Sequence, residues 1–218
     1  MKGVFNVRPP RPRYSATWDV DIVINFLKIK PYEDLTLKEL TLKLTMLMAL
    51  SMAARPQTLN LLTLQGMIKN EEEIILQVSE NLKHNRPSKP MEVVKIKRFP
   101  QDESVCVYTA LNIYLQKTEN LRTTDGQLLI SFIKPNKPVS RDTVCRWIRT
   151  VMNQAGIDTE RYGAYNTRSA AVSKASSKKL STKEILDTAG WSRESTFSKF
   201  YHKSVERNEN FQEVILTT

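Results

Sequence analysis

Apolar side chains recur at spacings of three and four from Trp18 onward, where Val20, Val23, Ile24 and Leu27 fall on one stripe and predict a first helix. Thr36 stands three residues before Glu39, the spacing of a capping box, and opens a strongly apolar helix that runs through Leu50 and Met52. Arg55-Pro56 ends it, because a proline ring cannot continue the backbone ladder, and a short helix is predicted through Leu59–Leu62. Ile74–Val78 and Val93–Lys97 read as two β-strands, joined by the turn-rich basic tip Lys83-His84-Asn85-Arg86-Pro87-Ser88-Lys89-Pro90. Helical periodicity returns around Ser104–Lys117, and Leu128–Ile133 reads as a short strand. Ser140 to Ala155 predicts an amphipathic helix with Val144, Trp147, Ile148 and Val151 inward. Further helices are predicted from near Thr167 to about Lys178, and from a second capping box (Ser181 with Glu184) to Ala189. A last helix holds Phe197, Phe200 and Tyr201. No internal repeat appears. The pattern predicts a mainly α domain with one small antiparallel β-sheet inserted after its first helices.

Composition adds two readings of the surface without changing that picture. Among 218 residues the formal net charge is +10 and the pI about 9.6, which fits either a polyanionic partner or an ordinary basic surface. The charge is uneven. Residues 134–207 hold 15 Lys/Arg against 7 Asp/Glu, and residues 83–98 hold six against one. The acidic run Glu71-Glu72-Glu73 lies outside both stretches and reads as a solvated turn. The first 14 residues carry Lys2, Arg8, Arg11, Arg13, three prolines and no acid, so residues 1–17 are read as a basic arm or linker and 18–218 as one domain. Cys106 and Cys145 are far apart and in no CxxC spacing, which fits a reducing intracellular compartment better than a disulfide or zinc site. With only His84 and His202, metal chemistry has little material, and no apolar run is long enough to predict a membrane span.

Three places draw attention as candidate chemistry. Arg55 ends an apolar helix in Ala53-Ala54-Arg55-Pro56, where a guanidinium must snorkel outward, pair with an acid or find an anion. Arg168 falls in the first turn of a predicted helix, where a cation opposes the helix dipole; it is either an exposed arginine at small cost or part of an anion site. In Ala189-Gly190-Trp191-Ser192-Arg193-Glu194-Ser195-Thr196-Phe197-Ser198-Lys199-Phe200-Tyr201, Gly190 closes one helix and Ser195 or Thr196 can cap the next. Tyr201 there is a core tyrosine of an amphipathic helix or a reactive phenol.

The order of these features is more specific than any one of them. An arginine after an apolar helix, a lysine on a β-hairpin tip, an arginine at a helix start, Gly-Trp, and a tyrosine ten residues after that Trp together resemble the tyrosine recombinase (phage integrase) family, from about Thr36 to His202. Within it, Trp191-Ser192…Thr196-Phe197…Phe200-Tyr201 and Arg86-Pro87-Ser88-Lys89 are most similar to the Crypton and DIRS type of eukaryotic transposon integrase. The resemblance implies the recombinase catalytic-domain fold, with an N-terminal clamp domain that this chain lacks. It implies Arg55 and Arg168 as phosphate-binding arginines, Lys83 (or its rival Lys89) as general acid, and Tyr165 at the usual histidine position. Trp191 takes the His/Trp position and Tyr201 is the nucleophile. Candidate DNA contacts are Arg86, Lys89, Arg141, Arg146, Lys174 and Lys199.

The implied chemistry suits these residue types. Attack by a phenol on a DNA phosphodiester leaves a covalent phosphotyrosine. Charge builds on the non-bridging oxygens, which guanidinium groups meet with charge-assisted hydrogen bonds. A lysine can protonate the departing 5′-oxygen. The resemblance implies no cofactor and no metal, double-stranded DNA as partner, a dimer or tetramer on DNA, and a nuclear setting. Two departures stand out: Tyr165 replaces a histidine, and a phenol with an ordinary pKa near ~10 is a poor base at pH 7; Thr58 stands where an acid often supports the first arginine. The competing readings are a domesticated relic that binds DNA without cutting it, and a type IB topoisomerase.

Overall fold

The computed structural model describes residues 16–79, 93–122, 126–191, 194 and 203–206. Its organising element is helix α2 (Leu37–Ser51), which follows strand β1 (Ala16–Trp18) and helix α1 (Val20–Lys28). The predicted capping box is present in both directions: Thr36 accepts from the Glu39 N–H, and the Glu39 carboxylate accepts from the Thr36 N–H at 2.9 Å. Every side chain from Leu40 to Leu50 is buried, Thr41, Lys43 and Thr45 included, as expected of a helix enclosed on all sides. The two threonine hydroxyls donate to the carbonyls of Leu37 and Thr41 at 2.6 and 2.7 Å. The Lys43 ammonium donates to the Lys30 carbonyl at 3.1 Å and lies 4.3 Å from the centre of the Tyr32 ring.

Around α2 pack three helices, α4 (Val107–Thr118), α5 (Arg141–Gln154) and α6 (Asn166–Ser177). Between α2 and α4 the chain forms the short helix α3 (Pro56–Asn60) and a sheet of β2 (Leu62–Lys69), β3 (Glu73–Val78) and β4 (Val93–Lys97). Both strand pairs are antiparallel, with β3 in the middle and Gln77 opposite Val93. Helix α7 (Thr182–Ala189) and strand β5 (Ser204–Glu206) complete the described chain. The inward set expected on α5 is observed, with Val144, Trp147, Ile148 and Val151 all buried.

Several expectations need correction. The sheet has three strands: Gln65-Gly66 interrupts the alternation of β2, and Gly66 (φ +66°) sits in a bulge that shifts the register between Thr63 and Ile68. The helix predicted through Leu59–Leu62 ends at Asn60, since Leu62 already pairs with Val78. Leu128–Ile133 is no strand; that region makes two isolated bridges, Thr63 with Gln127 and Ile130 with Pro138. The helix around Ser104–Lys117 divides into a 3₁₀ turn, Glu103–Val105, and α4.

Trp18, predicted to begin a helix, belongs to β1, which pairs in parallel with β5 (Ala16 opposite Ser204). Residues Ala16 and Thr17, assigned to the arm by sequence, are therefore part of the folded unit, and Thr17 is buried. The last predicted helix, with Phe197, Phe200 and Tyr201, lies outside the described residues, as does the tip from Lys83 to Pro90.

Candidate active site

Two helix C-termini build the site. Helix α2 ends in a Schellman turn: the Ala53 N–H donates to the Leu50 carbonyl (3.3 Å) and the Ala54 N–H to that of Ala49 (3.1 Å). The residue in the left-handed region is Ala53, at φ +44°, where glycine is usual. Helix α7 ends in the same way on Gly190 (φ +62°), with Gly190 N–H to the Asp187 carbonyl at 3.1 Å and Trp191 N–H to that of Leu186 at 2.9 Å. Ala53, Val172, Ile185 and Ala189 form a small apolar cluster, separate from the main core, that binds the two turns to α6.

Arg168 stands between them, the third residue of α6, with only 6% of its surface exposed. Its Nη1 donates to the Ala53 carbonyl at 2.9 Å, its Nη2 donates to the Ala189 carbonyl, and its Cζ lies 4.5 Å from the centre of the Trp191 ring. A cation in the first turn of α6 opposes the dipole of its own helix. Here two other helices present their carbonyl ends to it, and the indole face adds a cation–π contact. Arg55 is the N-cap of α3, followed by Pro56 at the first helical position, and lies two residues beyond the carbonyl that Arg168 holds. Its side chain is half-buried and has no hydrogen-bond or ion-pair partner among the described residues. Arg168 and Trp191, separated in sequence, are thus in contact, and Arg55 follows by two residues the Ala53 carbonyl that Arg168 holds.

Other predicted residues fall elsewhere. Tyr165 is exposed at the N-cap of α6, and its hydroxyl lies beside the Cys145 thiol and near Arg141, in the first turns of α5. Burial raises the Cys145 pKa, while Arg141 and the Tyr165 hydroxyl act against that rise. Arg141 pairs with Asp142 at 2.8 Å, and Arg146 donates to the Thr143 hydroxyl at 2.9 Å. Lys174, expected at the DNA surface, forms an ion pair with Asp21 that ties α6 to α1. Lys83, Arg86, Lys89, Lys199 and Tyr201 lie outside the described residues. Trp191 stacks on Arg168, and the Lys203 N–H donates to Ser173 farther along α6 at 3.2 Å.

The carbonyls of Ala53 and Ala189 were missed from sequence. Gly190 announces one of the two turns, but an alanine in the left-handed region leaves no mark in the sequence. Among the described residues, no group of three or more His, Cys, Asp or Glu is placed to hold a metal ion.

No family model matches the chain, and no curated protein does. Solved structures do. The XerH site-specific recombinase in a pre-cleavage complex with difH substrate superposes with a TM-score of 0.65 at 12% identity, covering 93% of this chain and 53% of that one. The XerA recombinase gives 0.61 at 17% identity, covering 97% and 65%, and a lambda integrase dimer bound to a COC′ core site gives 0.56 at 12%, covering 96% and 54%. The chain thus spans between about half and two thirds of the length of these recombinases. At such low identity the likeness speaks for architecture, and the architecture is clear: the chain has the tyrosine recombinase catalytic-domain fold.

Proposed function

We propose that this chain is the catalytic half of a tyrosine recombinase, cutting and rejoining DNA strands through a covalent 3′-phosphotyrosine. The observation that carries the reading is Arg168, held between the ends of α2 and α7 and stacked on Trp191 with Arg55 two residues past the Ala53 carbonyl it binds, on a fold shared with site-specific recombinases. In this reading the two guanidinium groups take the non-bridging oxygens of one phosphodiester and stabilise the charge that develops there. The Tyr201 phenol gives its proton to water and attacks phosphorus in line. The P–O bond to the 5′-oxygen breaks, and Lys83 delivers a proton to the departing oxygen. Religation runs the same steps backward. Tyr165 occupies the usual histidine position, and its exposed hydroxyl beside α5 suits contact with DNA better than proton abstraction.

The DNA-bound states of the XerH and lambda proteins, and the dimer and tetramer of the latter, support duplex DNA as substrate and assembly of several copies on it. The likeness of Arg86-Pro87-Ser88-Lys89 and Trp191-Ser192…Phe200-Tyr201 to Crypton and DIRS integrases adds a eukaryotic transposon origin and a nuclear setting to the proposal. In this reading a second domain closes the clamp around DNA from the other side; the solved recombinases are longer than this chain, which is compatible with one.

A nicked suicide substrate tests this directly. An active enzyme accumulates a covalent protein–DNA adduct, abolished by Tyr201→Phe and strongly reduced by Arg55→Ala. Adduct surviving Tyr201→Phe refutes the nucleophile. DNA binding with no adduct at all favours the relic that binds without cutting.

A further inference from the structure

Helices α2 and α7 end in the same kind of turn, yet one places alanine where the other places glycine. At Gly190 (φ +62°) a Cβ would meet nothing within 4 Å, so the glycine there serves the backbone alone. Ala53 (φ +44°) is buried, in one apolar cluster with Val172 of α6 and with Ile185 and Ala189 of α7. An alanine is unfavourable in the left-handed region and stays there only where its surroundings hold it. Three kinds of contact hold this one. The Leu50 and Ala49 carbonyls accept from the N–H groups of Ala53 and Ala54, the side chain packs in the cluster, and the Ala53 carbonyl accepts from Arg168 Nη1 at 2.9 Å.

A glycine at this position would relieve the strain and at the same time free the turn. Without a Cβ the residue reaches both signs of φ about as readily, and the peptide unit whose oxygen Arg168 holds could then rotate away. A methyl seated against α6 and α7 closes that route. We propose that Ala53 is a positioning residue. Its strained and packed turn fixes the carbonyl that aims the Arg168 guanidinium, and fixes the direction in which the chain leaves toward Arg55. Two residues of chain span at most about 7 Å, so a rotation at Ala53 is felt at Arg55 directly. The proposal rests on the recombinase reading for the reaction it serves, and adds to it a residue that touches no substrate.

The test compares Ala53→Gly and Ala53→Ser with the wild-type chain in three measurements. The melting temperature of Ala53→Gly should stay within about 2 °C of the wild type, because relief of strain offsets the lost methyl packing. Its duplex affinity should stay within about twofold, while the rate of covalent adduct formation on the nicked suicide substrate falls about tenfold, as misplacement of a reacting-phosphate contact does. The third measurement needs no activity. The Arg168 Nε–H resonance in a ¹H–¹⁵N spectrum, assigned by its disappearance in Arg168→Lys, should exchange with solvent about tenfold faster in Ala53→Gly. Ala53→Ser keeps a Cβ and should match the wild type in all three. An unchanged adduct rate or an unchanged Nε–H exchange in Ala53→Gly overturns the proposal, and so does an Ala53→Ser variant that fails as Ala53→Gly does. A melting temperature lowered by several degrees in Ala53→Gly also overturns it, by making the methyl a matter of core packing. No adduct from the wild type defeats the recombinase reading instead, and the Nε–H exchange alone then decides whether Ala53 positions Arg168.

Discussion

A guanidinium withdrawn from water needs acceptors for its N–H groups, and Arg168 finds two of them in the carbonyls of Ala53 and Ala189. Removing its side chain strands both carbonyls in a closed place, at about 1–3 kcal/mol for a buried group left unsatisfied. Arg168→Ala should thus lower the melting temperature by several degrees as well as abolish any strand cleavage. Arg55 makes no such internal bonds, so Arg55→Ala should move the melting temperature hardly at all while still removing the adduct. Circular-dichroism melts of the two variants check this, and equal destabilisation would show that Arg55 is also a structural brace. Gly66 is a second residue with a local conformational task. At φ +66° an alanine is strained by about 1–2 kcal/mol, and its Cβ would press on the Gln77 side chain, so Gly66→Ala should weaken the β2–β3 pair in a denaturant melt.

The elements themselves carry measurable electrostatics. The Glu39 carboxylate in the α2 capping box accepts from the Lys30 ammonium and from Thr36, and these bonds hold its pKa down to about 2. A carboxyl whose pKa is lower folded than unfolded adds stability above its unfolded value near 4.5, and that contribution fades as pH falls toward 2. Urea melts at pH 7 and pH 3 should show the wild type losing more stability than Glu39→Gln, which has no proton to take up there. Lys43 runs the other way. Burial in the middle of α2 lowers its pKa, so the charged form is held against a penalty at neutral pH that eases as pH rises through the lowered pKa. Lys43→Met fills the same space without a charge and should match or exceed the wild type in stability at pH 7 by about 1 kcal/mol. A large loss instead would mean that the bond to the Lys30 carbonyl and the contact with Tyr32 outweigh desolvation.

For the molecule as a whole, the +10 charge bears on the DNA binding proposed above. Under the proposed reading, these 218 residues alone should bind duplex weakly, with little sequence preference and a steep dependence on salt. A footprint at a defined sequence, held tightly by this chain alone, would contradict that. Periodicity and capping boxes made most helices legible, because a stripe at three and four or a Ser/Thr with Glu three residues on acts within one turn of chain. The sequence by itself determined the apolar α2, the inward face of α5, the breaks at Arg55-Pro56 and Gly190, and which arginines and tryptophan merited attention. Only the tertiary structure decided that β2 joins the sheet across its bulge, that β1 meets β5 from the other end of the chain, and that Lys174 pairs with Asp21. It alone placed Arg168 against the carbonyls of Ala53 and Ala189, 115 and 21 residues away along the chain. The reason is physical: backbone carbonyls carry no residue identity, so a site built partly from them takes form only when distant helix ends are packed together.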